Sequence, residues 1–336
     1  MTAAQSERLS NKLAEFEKFR KKAYRSYKLF NGITWPFRIA YVAGIALLVI
    51  GTLLPFLMPV FLPFIIIAGA LFILQIILHN WIFRDPLGRF EERFKQELMT
   101  EMMGEIYPEF TYKPTAKVKD EAVIFSRLFG KKISKMYGED YFEGKLKGIG
   151  MRFSELVVKK KKYGMKEFMG DVAGELVDAI LGGEGDYGDD VDEHLVTVFK
   201  GLFFHLGFHV DFKGSIIIQS RQSKWRKVFD KTYRSNRQLI ESGDAAFDRA
   251  FQIYVSPDLS LDYVLTPAMR TNLLKLQAEV APDLAASIRD GQMFVAIPWK
   301  KDLLEAELDK GIPTLDDFAT YMEEVDLIKE VVTHMY

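Results

Sequence analysis

The chain has no cysteine among its 336 residues, which excludes disulfides, thiolate nucleophiles, cysteine-ligated zinc and iron-sulfur clusters at once. A second absence is regional. From Ile39 to Phe83 there is no Asp, Glu, Lys or Arg. A charge at the centre of an inserting helix costs roughly 2.5 to 3.5 kcal/mol, so a tract this free of charge meets the requirement for insertion into a bilayer. One crossing takes about 20 apolar residues, and Pro55, Pro59 and Pro63 divide the tract into two pieces of that length. The spans read as Pro36 to Leu54 and Phe61 to Ile82. The competing reading, a hairpin buried inside a large soluble fold, fits poorly because the uncharged run far exceeds a core helix.

Catalytic signatures are also missing. GEDYFEGK at 138 to 145 has its glycines one residue too far apart for a phosphate loop, and Leu146 stands where a magnesium-binding hydroxyl is needed. Ser154 lacks the glycines of a nucleophile elbow. The acidic stretch GGEGDYGDDVD at 182 to 192 offers oxygens for calcium but lacks the EF-hand alternation, and a solvated turn-forming loop is the simpler reading. There is no HExxH. His194, His205 and His209 are the histidines to test as metal ligands, and His205, His209 and Asp211 would share one face of a strand, yet scattered histidines beside Phe203, Phe204 and Phe208 are more often core-edge residues. No catalytic residue, cofactor site or metal site is therefore assigned.

What the chain does contain sets an orientation. Arg20, Lys21, Lys22, Arg25, Lys28 and Arg38 precede the first span, Arg84 and further arginines follow the second, and the connecting turn is uncharged. Lys and Arg near span ends stay cytoplasmic, so both termini are expected inside. Trp35, where the chain enters the first span, and Trp81, where it leaves the second, suit the headgroup region. Residues 1 to 38 carry nine Lys and Arg against three Glu, a balance of +6 that leaves −7 to the rest of a chain of net charge −1. That division favours an anionic lipid surface beside the N-terminal segment and argues against nucleic acid as a partner. Ala40, Gly44 and Gly51 line one side of the first span and Gly69 thins the second; small residues let membrane helices approach closely. Whether they join the two spans of one hairpin or two copies of the chain is open at this level.

The remaining pattern gives four parts. Residues 1–35 form a basic amphipathic helix, with Leu9, Leu13, Phe16, Tyr27 and Phe30 at three- and four-residue steps; residues 36–83 form the hairpin. Residues 84–110 form a membrane-proximal helix opened by Asp85-Pro86, its apolar face being Leu87, Phe90, Phe94, Leu98 and Met102. The two amphipathic helices, one entering the bilayer and one leaving it, are expected to pair as a stalk through Phe16, Phe19, Phe90 and Phe94. Residues 111–336 alternate strand and helix patterns. A strand pair is expected over 140 to 158, strands over 196 to 210, 215 to 219, 251 to 255 and 293 to 297, and helices over 165 to 181, 266 to 280 and 314 to 332. Phe247, Phe251, Ile253 and Val255 read as one buried strand face. The fold class is an α+β cytoplasmic domain preceded by a two-helix transmembrane hairpin.

Three stretches, FEGKLKGIGMRFSEL (142 to 156), VFKGLFFHLGF (198 to 208) and FDRAFQIYVSPDLSLDYVLTPAMRTNLLKL (247 to 276), resemble a family of bacterial membrane proteins catalogued as a domain of unknown function, number thirty-one thirty-seven. The resemblance runs over about residues 85 to 336 and implies a bacterial inner-membrane location, with a basic N-terminal helix and two spans before the domain. It implies no activity. The expected function is a membrane-anchored binding or scaffold module whose partners are the lipid bilayer, a second copy of the chain and an unidentified protein. The alternatives are a pore or transporter subunit built from oligomerised hairpins and an enzyme acting on lipid or nucleotide.

Overall fold

The computed structural model describes residues 3–82, 90–130, 133–146, 148–161, 195–207, 214–221, 237–257, 259, 261–279, 282–298, 308–309, 311–312, 314 and 325–326. The chain forms two units, Met1–Ile106 with Leu303–Phe318, and Tyr107–Asp302 with Ala319–Tyr336.

In the first unit α1 runs from Ala3 to Leu53 without interruption. At 1.5 Å per residue it is a rod of roughly 75 Å. The amphipathic helix expected over 1–35 and the span beginning at Pro36 are thus one element. Pro36 removes a single hydrogen bond from the ladder, and its ring would press on the carbonyl four residues back, which belongs to Gly32. That local cost, about 3 kcal/mol, is outweighed because helix is favoured on both sides: by the apolar tract after it and by the packed stripe before it. After a 3-10 turn at Pro55–Leu57, α2 runs from Met58 to Ile82, three residues longer at its start than the expected span. Pro59 sits in the first turn, where a proline fits.

The two helices touch along the small-residue face. A Cβ added at Gly44 would stand 2.5 Å from the Ala68 Cβ, one added at Gly51 would stand 2.6 Å from the Met58 sulfur, and Tyr41 stacks on Phe72 at 4.2 Å. Below them the N-terminal half of α1 pairs with the helical stretch 90–106, made of a first turn, a π-helical segment Phe94–Met99 and α3 (Thr100–Ile106). Phe90, Phe94, Leu98 and Met102 are buried, as are Met99 and Met103. Apolar residues spaced strictly four apart drift about 40° per step around a 3.6-residue helix. The wider π turn takes that drift back and keeps the stripe on its partner. Phe19 and Phe90 meet at 5.8 Å, the Arg93 guanidinium lies 5.0 Å above the Phe19 ring, and Arg8 pairs with Glu101 at 2.8 Å and Glu105 at 3.3 Å. The expected pairing of the two amphipathic helices is what the structure contains.

The second unit is a mixed helix and strand region built on a ten-stranded antiparallel sheet. Its strands are β1 (Phe110–Lys113), β2 (Lys135–Tyr137), β3 (Tyr141–Leu146), β4 (Ile149–Lys161), β5 (Leu195–Gly207), β6 (Ser215–Ser220), β7 (Gln238–Ile240), β8 (Phe251–Val255), β9 (Ala285–Arg289) and β10 (Gln292–Pro298). The order is β1-β3-β4-β5-β10-β9-β6-β8-β7, with β2 also on β4. One face carries the row Tyr112, Phe142, Phe153, Phe204, Val295, Ala286, Ile218 and Ile253 in register. Phe142, Phe153 and Phe204 stack at 4.6 and 4.9 Å. On the opposite face the row is Glu143, Arg152, His205, Phe294, Ser287, Ile217 and Tyr254.

Several boundaries follow from local chemistry. The β3–β4 turn passes through Gly148 at φ +85, a left-handed conformation that suits glycine. Phe247 is not on the strand expected of it. It belongs to a helix, Ala245–Ala250, because the Asp244 side chain accepts from the amides of Ala246 at 2.9 Å and Phe247 at 3.2 Å and so caps a helical turn; the strand begins at Phe251. The helix expected over 266 to 280 is Pro267–Glu279, capped by the Thr266 hydroxyl. Lys159 to Lys161 close β4. The helix expected over 165 to 181 and the acidic loop at 182 to 192 lie outside the described residues, as does most of the closing helix over 314 to 332.

Candidate binding cleft

The α4 helix (Asp120–Ser126) lies over the second sheet face and is fixed there by three contacts. Val118 N donates to the Ser154 hydroxyl at 3.0 Å, Arg289 Nη1 donates to the Phe125 carbonyl at 3.1 Å, and the Arg289 guanidinium lies 4.5 Å above the Phe125 ring. Between this segment and the strands is an open cleft of about 500 Å³, within the range of small-molecule sites. Its apolar side is Val118, Ala122 and Phe125; its polar side is Lys119, Glu121, Tyr141, Glu143, Arg152, His205 and Gln292.

The sheet register assembles the polar side. Glu143 on β3 faces Arg152 on β4, which faces His205 on β5. Arg152 Nε donates to Glu143 Oε1 at 2.7 Å. This hydrogen bond, aided by the guanidinium charge and the Tyr141 hydroxyl, holds the Glu143 carboxyl below its usual range against the opposing effect of burial. Burial, reinforced by Glu143, pushes the Tyr141 phenol up. His205 stacks on Phe294 at 4.8 Å, and its Nε2 meets Gln292 Oε1 at 2.8 Å. A carboxamide oxygen only accepts, so Nε2 carries the proton and Nδ1 keeps its lone pair. Burial, with the nearby Arg152 charge, lowers the His205 pKa, and the ring is neutral at pH 7. The lining charges sum to zero: two cations and two carboxylates around one neutral imidazole.

Of the sequence-derived metal candidates, His205 is in the cleft, whereas His194, His209 and Asp211 lie outside the described residues. Three other carboxylates, Glu139, Asp140 and Glu155, come within 4.8 Å of one another, with the Tyr112 hydroxyl hydrogen-bonded to Asp140. Among the interface candidates, Trp35, Lys21, Lys22, Arg25, Lys28 and Arg38 are exposed on α1. Arg20 is turned inward, 8% exposed, on Glu17 and the Leu308 carbonyl. Trp81 is the penultimate residue of α2, and Arg84 lies outside the described residues. Gly44 and Gly51 are in the α1–α2 contact, Ala40 is half-buried, and a Cβ at Gly69 would meet nothing within 4 Å. Sequence reasoning missed Tyr141, Glu143, Arg152, Gln292, Lys119 and Glu121. A hint was present in Glu143 and Arg152, charged residues of one strand parity among apolar neighbours.

Two long apolar helices joined to an antiparallel-sheet unit with a cleft of mixed charge define the class of molecule. Residues 197–336 match the model of the family described as Protein of unknown function (DUF3137), the family that the motifs at 198 to 208 and 247 to 276 resemble. No curated protein matches the chain by sequence. A solved structure similar in shape is the crystal structure of the mycobacterial trehalose monomycolate transport factor A, TtfA, at 8% identity and a TM-score of 0.31, covering 72% of this chain and 96% of that one. A likeness that distant carries no functional argument.

Proposed function

We propose that the chain is a membrane-anchored binding module of the bacterial inner membrane, its hairpin crossing twice, its termini and sheet unit cytoplasmic, and its cleft the place where a small ligand is held. One observation supports this above the rest. Among the described residues nearly every exposed large apolar side chain lies between Leu29 and Ile77, while the sheet unit buries most of its phenylalanines and isoleucines. Apolar patches larger than a few hundred Å² do not persist in water on a monomer, and a belt around both helices of a hairpin suits lipid. Self-association belongs to the same proposal. Its support from small residues narrows to Gly69, since Gly44 and Gly51 are taken up inside the hairpin.

Single cysteines test the arrangement without interference from native thiols. In intact membranes, a membrane-impermeant maleimide should label Phe56→Cys from the outside and Lys22→Cys only in inverted vesicles, leaving Ile66→Cys unlabelled from both sides. Equal labelling of Ile66→Cys and Lys22→Cys from one side would refute the anchor. For the cleft, a ligand present at about 100 times its Kd stabilises a folded protein by about 2.7 kcal/mol. A metabolite screen by thermal shift should therefore find compounds that stabilise the detergent-solubilised chain and lose their effect when Ala122→Trp fills the cleft.

A further inference from the structure

The polar side of the cleft is arranged as a pair rather than as a single charge. Arg152 and Glu143 sit opposite each other on adjacent strands with side chains 47% and 41% exposed, and Lys119 and Glu121 lie on the facing segment. An ion pair this accessible to water contributes little net stability. Exchanging it for the same two interactions with a ligand is therefore nearly neutral, and the gain in binding comes from whatever else the ligand buries. A ligand of one charge would meet an attractive member and a repulsive member of each pair. A ligand with both charges meets two attractive ones. Phe125, Ala122 and Val118 give it an apolar surface to cover, and His205 Nδ1, which has no hydrogen-bond partner among the described residues, accepts from an N–H.

We propose that the cleft takes a small zwitterion: an ammonium and an oxyanion a few bonds apart on a partly apolar body, with the oxyanion on Arg152 and the ammonium on Glu143. This rests on the reading of the cleft as the module's binding site. Two sources offer that chemistry, an amino acid or dipeptide and a phosphoethanolamine headgroup.

The test is calorimetric titration of the detergent-solubilised full chain with alanyl-phenylalanine, its N-acetyl form, its C-terminal amide, the doubly capped form, and phosphoethanolamine. The free dipeptide or phosphoethanolamine should bind, and whichever binds names the source. Each single cap should weaken the dipeptide at least tenfold. Arg152→Gln should abolish the effect of amidation and Glu143→Gln that of acetylation, with the thermal midpoint of each variant confirming that it folds. Equal binding of free and doubly capped dipeptide overturns the zwitterion. If that capped binding disappears in Ala122→Trp, the cleft remains a binding site and only the ligand class falls. If no probe binds, charged or capped, the zwitterion proposal is overturned, and the screen against Ala122→Trp separately decides the cleft.

Discussion

Gly44 and Gly69 are the same residue type in the same hairpin and do different things. At Gly44 a side chain has no room against Ala68, while at Gly69 it meets open space. Gly44→Leu should separate α1 from α2 and cost about 1 to 3 kcal/mol, the usual size of an overpacking penalty. Gly69→Leu should change the thermal midpoint in detergent little; equal losses from both would refute the contact. His205 makes a second prediction through pH. Its pKa is lowered in the fold, so the unfolded chain binds more protons as pH falls below about 6.5. The stability tied to this ring is therefore complete above the unfolded pKa and is lost as pH falls through the folded one. Arg152, Glu143, Lys119 and Glu121 are the charged groups that share the cleft with the ring. Between pH 7 and 5 the wild type should lose more of its thermal midpoint than His205→Gln; parallel curves would contradict the buried neutral ring. The Glu143 carboxyl has the same sign in a more acidic window, present above the ordinary carboxylate pKa and lost as pH falls through the lowered one. Beyond the hint in Glu143 and Arg152, this geometry could not be read along the chain. Arg152 and His205 are 53 positions apart and meet only because β4 and β5 pair in one register. A slip by one residue would turn every member of the row to the other face.

Elements were legible where a pattern was long and misread where a single residue decided. The uncharged run at 39 to 83 and the four-residue stripe at 90 to 102 each repeat a signal over many turns, and both gave the helices found. Pro36 looked like a boundary because proline disfavours helix in its neighbour and in itself. The structure carries α1 through it because helix is stabilised on both sides. Asp244 worked in the other direction: its carboxylate caps a turn of helix inside what alternation alone makes a strand. Asp244→Ala should cost about 1 kcal/mol of unfolding free energy, measurable by urea titration. The helical pairing at the base of the hairpin has a sharper test. In a chain without native cysteine, a short, rigid bismaleimide should join Phe19→Cys to Phe90→Cys, the native rings at these positions having centroids 5.8 Å apart. A pair on the exposed side, Lys18→Cys with Phe90→Cys, should not be joined. Failure of the first pair or success of the second would contradict the packing.

For the whole molecule, composition alone divides the chain between two environments. A net charge of −1 splits into a basic N-terminal segment, an uncharged middle and an acidic remainder. The fold gives that division physical form: an apolar belt on one unit and a closed aromatic core in the other. The cleft is invisible at this scale as well, since its lining from β3, β4, β5, β10 and the segment of α4 is brought together only by the sheet register and the packing of α4 on it. The belt around α1 and α2 needs lipid to cover it if the hairpin is an anchor. The direct measurement is sedimentation of membranes from cells expressing the full chain after a wash at alkaline pH, which strips peripheral proteins. The protein is predicted to remain wholly in the pellet and to be released only by detergent. Its appearance in the supernatant would contradict the hairpin anchor.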